Sequence, residues 1–117
     1  MSQQTSIDPS TPNEPQDPNG FFQRGWEEHA KGDQAGAEAS FKRAISLDSQ
    51  FAEAYYGLGL IYKTQGRNEA AILAFQQAID LIQENTQQKH PTHGVMLRNL
   101  AKAHIRMIQE TQNPEQS

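Results

Sequence analysis

Apolar residues recur at helical spacing over residues 21–110, and this stretch has no run of strictly alternating apolar and polar residues. The pattern predicts an all-α fold. Gly32 and Gly66 are expected to end the first and third helices, because glycine readily adopts the left-handed conformation found at helix C-termini. Asp33 and Ser49 are expected to cap the second and third helices. The five predicted helices cover residues 20–31, 34–47, 50–65, 68–88 and 93–110.

The two ends of the chain differ in composition from this middle stretch. Residues 1–19 are polar and contain four of the six prolines, spaced three residues apart. This spacing is incompatible with an α-helix and suits polyproline II. We interpret the segment as a disordered leader, because its composition cannot bury enough apolar surface to become ordered. The alternative is a proline-motif ligand for another protein. Residues 20–110 form the predicted domain, and residues 111–117 form a flexible tail.

The predicted domain contains an internal repeat with a period of 34 residues. The matches concentrate at small and aromatic positions, where close packing between helices restricts side-chain size. A fixed period in this range indicates stacked copies of one helical unit. The matched pairs are Phe21 with Tyr55, Phe22 with Tyr56, Gly25 with Gly59, Gly32 with Gly66, Ala37 with Ala71, Phe41 with Phe75, Ala44 with Ala78, Ile45 with Ile79 and Leu47 with Leu81.

These motifs resemble the tetratricopeptide repeat family. Its signature is matched by Leu58-Gly59-x2-Tyr62 followed by Ala71-x3-Phe75-x2-Ala78. The first unit departs from this signature at Arg24 and Glu28, which fits a terminal helix with one side facing water. The resemblance implies a short right-handed α-solenoid of antiparallel helix pairs, with two repeat units and a C-terminal closing helix.

A partial third unit follows the second at a longer offset. Leu100-Ala101 with His104 repeats Leu58-Gly59 with Tyr62, now 42 residues apart. This offset resembles the longer kinesin-light-chain type of repeat, in which the second helix is extended, here through Gln83–Gln88. In that type an asparagine, matched here by Asn99, binds the backbone of the partner.

Composition and charge exclude several classes of protein. The absence of cysteine excludes disulfide scaffolds, thiolate zinc sites and thiol catalysis. A formal net charge of −4 does not suit general nucleic-acid binding, which requires a broad basic face. No apolar run approaches the roughly 18 residues of a membrane span. The first residues lack a secretory signal pattern, so we expect a cytoplasmic location.

The sequence shows no catalytic motif. Ser40 and Ser46 lack the glycine-flanked turn of a serine nucleophile, and no phosphate-binding glycine loop is present. His90-x2-His93 is the only pair with metal-like spacing, and Pro91 breaks the helical geometry that would bring the two rings together. We therefore expect no enzyme activity, no metal and no cofactor, and interpret the histidine pair as part of a polar loop.

The resemblance implies that the first helix of each pair lines a concave groove. We predict that this groove binds a peptide segment of another protein, in a non-catalytic adaptor, scaffold or assembly factor. The basic side chains of the last helix suggest a partner with an acidic group or a C-terminal carboxylate. The alternatives are ordinary inter-helix packing for the aromatic residues and a solvated face for the basic ones. The predicted groove residues are Phe22, Trp26, His29, Tyr56, Leu60, Lys63, Arg98, Asn99 and Lys102.

A second hypothesis assigns the function to the last helix. Its apolar residues lie on more than one side, and no complete pair follows to cover them. Arrays of fewer than three full repeats are expected to be marginally stable alone. Self-association through Met96, Met107 and Ile108 would cover this surface, so the alternative is a structural protein that forms homo-oligomers.

Overall fold

In a computed structural model, residues 15–84 and 91–112 are described, without the side chains of residues 91–93. Every element in these ranges is an α-helix, which confirms the all-α prediction. The order is α1 (Pro18–Ala30), α2 (Gln34–Leu47), α3 (Ala52–Thr64), α4 (Asn68–Glu84) and α5 (Pro91–Gln112). Most of the predicted leader, the tail beyond Gln112 and the proposed extension of α4 through 85–88 lie outside the described residues.

The helix ends follow from local chemistry at a few residues. Gly32 and Gly66 have φ angles of 85° and 78°, the left-handed conformation predicted for the ends of α1 and α3. The carboxylate of Asp33 accepts a hydrogen bond of 2.9 Å from the Gly36 N–H, which confirms the predicted cap of α2. The predicted cap at Ser49 was wrong, because α3 begins later and has Phe51 at its N-cap position without a side-chain hydrogen bond.

The first helix begins two residues before the predicted domain boundary. Pro18 occupies its first turn, where the missing N–H of proline carries no penalty. Asp17 caps it by accepting a hydrogen bond of 3.0 Å from the Gly20 N–H. The predicted leader therefore extends two residues too far, because its last proline starts a helix.

The helices form two antiparallel pairs, α1 with α2 and α3 with α4, and α5 packs against α4 and the edge of α3. Two fully buried phenylalanines hold the stack together. Phe41 lies between Gly25 and Gly57, where an added Cβ would come within 2.8 Å of its ring. Phe75 packs in the same way on Gly59, where the distance would be 2.7 Å. The matched pair Gly25 and Gly59 thus marks places where a ring contacts a bare backbone.

The departure of the first unit from the repeat pattern has a structural counterpart. Glu28 occupies the place of Tyr62, accepts a hydrogen bond from the Ser40 hydroxyl and pairs with Arg24 at 3.4 Å. In the second unit the same two places are taken by Tyr62 and Ala74, which belong to the apolar core. A polar link between α1 and α2 therefore replaces an apolar contact between α3 and α4.

Candidate functional site

On α1, three predicted groove residues form a connected row of rings. The ring centroids of Phe22 and Trp26 are 6.0 Å apart, and those of Trp26 and His29 are 5.9 Å apart. Trp26 also meets Phe41 edge-on, at 5.1 Å. All three are half-buried, so each ring packs on one side and remains accessible on another. His29 Nδ1 lies 3.1 Å from the Gln34 side-chain oxygen, which fixes the imidazole at the end of the row.

On α3, Tyr56 repeats the arrangement of Phe22 one unit later. Its ring lies 5.6 Å from Phe75 at an interplanar angle of 58°, and the Phe22 ring lies 5.8 Å from Phe41 at 59°. Burial raises the pKa of the Tyr56 phenol, so the hydroxyl stays protonated at neutral pH. Leu60 and Lys63 follow on the same face of α3 and are also half-buried. The predicted groove positions on α1 and α3 are therefore neighbours on adjacent helices.

On α5, the residue that faces this surface is His104. Its ring stacks on Phe75 at 5.2 Å with an interplanar angle of 8°, and it lies 5.8 Å from Tyr56. The Lys63 ammonium donates a hydrogen bond of 3.0 Å to His104 Nδ1. Burial and the charge of Lys63 lower the pKa of His104, so the imidazole is neutral at pH 7 and its Nδ1 accepts the hydrogen bond from the Lys63 ammonium.

The predicted groove positions on α5 lie elsewhere on the helix. A helical residue is rotated by about 100° from its neighbour, so Lys102 lies roughly 160° and Arg98 roughly 120° around α5 from His104. Asn99 and Lys102 are exposed, and half-buried Arg98 has a buried Nε without a hydrogen-bond partner among the described residues. The prediction that these three side chains line the surface of Tyr56 and Lys63 was wrong.

Two apolar side chains take their place. Leu100 and Met107 lie one helical turn from His104, on its side of α5, and are 43% and 44% exposed. The sequence identified Leu100 and His104 only as parts of the partial third repeat and did not place either residue at this surface. The available signal was the i, i+4, i+7 spacing of these three residues, but α5 carries apolar residues on several sides and the spacing does not choose among them.

The residues predicted for self-association are only partly at the surface. Met96 and Met107 are 55% and 44% exposed. Ile108 is 3% exposed and belongs to the main core cluster, so its predicted place in an exposed surface was wrong. It falls on the side of α5 that carries Leu97 and Ala101, which are buried as well.

The described residues do not bring together three or more His, Asp or Glu side chains that could hold a metal ion. His90 and the side chain of His93 lie outside the described part of the chain. Among the described helices, none is long and apolar enough to cross a membrane.

Comparisons with known proteins agree with the repeat pattern. Two family models match, one described as a TPR repeat over residues 25–66 and one as a tetratricopeptide repeat over residues 52–85. Anaphase-promoting complex subunit 3 of Schizosaccharomyces pombe is 33% identical over 63 residues, which is 54% of this chain and 10% of that protein. The chain thus spans about a tenth of this curated relative.

Two crystal structures of MamA share the fold. They have TM-scores of 0.56 and 0.55, and each is 24% identical in sequence. The matches cover 85% of this chain and 60% and 57% of the MamA chains. With both repeat units matched and the helix pairs stacked as the period requires, the chain belongs to the tetratricopeptide repeat family, whose α-solenoid is a protein-interaction fold and is typically non-catalytic.

Proposed function

We propose that this chain is a non-catalytic adaptor whose concave surface binds a peptide segment of another protein. The observation that carries the proposal is the row of half-buried rings across α1, α3 and α5. Phe41 and Phe75 pack against the inner sides of these rings and leave their outer sides accessible. We call this surface the groove, and its residues are Phe22, Trp26, Tyr56, Leu60, Lys63, Leu100, His104 and Met107.

The groove chemistry favours a bulky apolar residue as the anchor of the partner. Trp and Tyr side chains are among those that most often dominate interface energies, at about 2 kcal/mol or more each. Their rings are already held by the core, so binding orders few side chains of this protein. A peptide therefore supplies most of the ordering entropy itself.

A partner carboxylate would bind at Lys63. The sequence suggested Arg98 and Lys102 for this role, but they lie on other sides of α5. The Lys63 ammonium has three N–H donors and uses one in its hydrogen bond to His104. The others can donate to a carboxylate beside the groove. Such charge-assisted hydrogen bonds are shorter and stronger than neutral ones.

Peptides selected from a random library on the full chain would test this proposal. We expect Trp26→Ala to weaken their binding at least tenfold, because it removes the largest ring of the groove. Leu73→Ala is the matched control, since Leu73 is 71% exposed on α4. Equal binding by Trp26→Ala and the unmodified chain would contradict the proposal that the groove binds the peptide.

The carboxylate site has its own control. Lys63→Met should weaken selected peptides that end in a free carboxylate and leave their amidated forms unaffected. Lys102→Met should affect neither form, since it lies on another side of α5. If Lys102→Met weakened the free-carboxylate peptides and Lys63→Met did not, the carboxylate site would lie on α5, as the sequence suggested.

A second candidate function is self-association through α5, favoured by the exposure of Met96 and Met107. Light scattering across a wide concentration range separates a monomer of 13.1 kDa from larger species. Oligomers that dissociate in Met107→Asp would support it. The kinesin-light-chain type of repeat, with Asn99 binding partner backbone, stays a prediction, because the residues that would extend α4 lie outside the described part of the chain.

A further inference from the structure

Helix α3 is covered on two opposite sides by the helices before and after it. Its Gly57 faces Phe41 of α2, and its Gly59 faces Phe75 of α4. Two residues along a helix correspond to a rotation of about 200°, so these glycines lie on nearly opposite sides. Each lets a neighbouring helix approach closely, and both are buried.

Helix α5 has two small residues at the same spacing, Ala101 and Ala103. Ala101 is fully buried, and within the described part of the chain α5 contacts only α4 and α3. Ala103 is turned about 200° away and remains half-buried without a helix over it. Within the described ranges, helix α5 therefore resembles α3 in its small residues but is covered on one side only.

The residues on the uncovered side of α5 follow a regular helical spacing. Residues at i, i+3, i+7 and i+10 share one side of a helix, and here they are Met96, Asn99, Ala103 and Arg106. We call this surface the open side of α5. Met96 is 55% exposed, and Val95 and Met107 at its edges are 45% and 44% exposed. Exposed apolar residues grouped on one side of a helix, here with Asn99 and Arg106 among them, are typical of a docking site.

Charge decides which occupant fits. From residue 89 to 109 the chain has four Lys or Arg residues and no Asp or Glu; Arg106 lies on the open side and Lys102 borders it. The first acidic residue after them is Glu110. A second copy of α5, the second candidate considered above, would bring like charges together, so charge favours an acidic partner over self-association. Helix α4, which covers the corresponding side of α3, has Glu69, Asp80 and Glu84 and no Lys or Arg.

We propose that the open side of α5 binds an acidic amphipathic helix of a partner protein, in the manner in which α4 covers α3. The apolar stripe of the partner would lie on Met96 and Ala103, and its acidic residues would face Lys102 and Arg106. The small side chain of Ala103 permits the interaxial distance of about 8–10 Å that helix packing requires. This site shares only Met107, at its edge, with the groove and does not depend on peptide binding there.

The test uses two synthetic helical peptides and the full ¹⁵N-labelled chain. The first peptide has the sequence of residues 68–84 with blocked termini, because that segment already performs this role on α3. The second has Glu69, Asp80 and Glu84 changed to Lys. We expect the acidic peptide to shift the amide signals of Met96, Ala103 and Arg106 and to leave the Trp26 indole signal in place. The Lys-substituted peptide should bind at least tenfold more weakly.

Two variants and a control locate the site. Ala103→Glu and Met96→Asp should each weaken the acidic peptide at least tenfold, by adding a repelling charge and bulk to the open side. Leu73→Asp makes a similar change on the exposed face of α4 and should bind normally. Circular dichroism of each variant checks that helical content is unchanged, and a variant that fails this check is replaced by Asn99→Glu.

Three results would overturn the proposal. One is the absence of binding by the acidic peptide at millimolar concentration. The second is binding that shifts the Trp26 signal or is equally strong in Ala103→Glu, which would place the helix in the groove or in exchange with α4. The third is a dimer of the chain alone that Ala103→Glu dissociates, which would make a second copy the occupant. The library-selected peptides of the groove are a separate test, and their failure to bind would not change the interpretation of the acidic-peptide experiments.

Discussion

Helices α3 and α5 are the same kind of element in different surroundings. Helix α3 presents Gly59 to Phe75, α5 stacks His104 on the same ring, and both helices contribute side chains to the groove. Helix α3 is packed on both sides and has seven buried residues, including Gly57, Gly59 and Ile61. Helix α5 leaves Val95, Met96, Leu100 and Met107 exposed. In a linear array the position of a helix, more than its composition, decides which apolar residues become surface.

The largest expected effect comes from the ring that joins these two helices. Phe75 packs against Gly59 of α3 and stacks on His104 of α5. Phe75→Ala should lower the free energy of unfolding by roughly 3–5 kcal/mol, because it leaves a cavity between both helices. Urea unfolding followed by circular dichroism measures this change. Leu73→Ala, at an exposed position of the same helix, should stay within about 0.5 kcal/mol, and equal losses would refute the central role of Phe75.

A smaller effect compares the two helices directly. Gly59→Val should lower the free energy of unfolding by roughly 1–3 kcal/mol, since the added carbons collide with the Phe75 ring. Ala103→Val places the same β-branched side chain on the open side of α5, where no described helix covers it, and should cost at most about 0.7 kcal/mol, through the lower helix propensity of valine. Thermal unfolding of the two variants in parallel gives the difference. A cost as large for Ala103→Val would show that α5 is covered on that side too.

The smallest expected effect is a pH dependence at the contact between α3 and α5. The pKa of folded His104 lies below its ordinary value of about 6.5, through burial and the nearby Lys63. As the pH falls through 6.5, the unfolded chain binds this proton first, so stability decreases until the lower folded pKa is passed. Above pH 6.5 both states are neutral at this site and the contribution is constant.

Replacing the titrating ring checks this pH dependence. His104→Phe should flatten the decrease in melting temperature between pH 7.5 and 5.5, while keeping a ring against Phe75. Lys63→Met should flatten it in part, because one of the two causes of the lowered pKa is gone. An unchanged slope in His104→Phe would show that another group governs the acid response.

Most of the first two units could be predicted from the sequence. The pairs Gly25 with Gly59 and Phe41 with Phe75 mark places where a ring meets a bare backbone, and such contacts tolerate few residue types. The groove positions on α1 and α3 followed from the same period. Local signals also fixed helix ends at Gly32 and Gly66, since a left-handed residue is chosen by backbone sterics alone.

The groove positions on α5 could not be predicted in the same way. The 42-residue offset aligned Ala101 with Gly59, but Ala101 is buried towards α4 and α3, as Gly57 is towards α2. Aligning Ala101 with Gly57 changes the offset by two residues, which rotates the helix by about 200°. That rotation moves Lys102 out of the groove and brings in His104.

The sequence by itself determined the helical class, the repeat of 34 residues, the packing phenylalanines and the family. These depend on side-chain size and backbone freedom at single positions, which a repeated pattern reveals. Only the tertiary structure decided which side of α5 faces the groove and which stays open. Apolar residues occur around most of that helix, so the contacts of His104 with Phe75 and Lys63 determine its rotation. The spacing of apolar residues along the sequence does not specify these contacts.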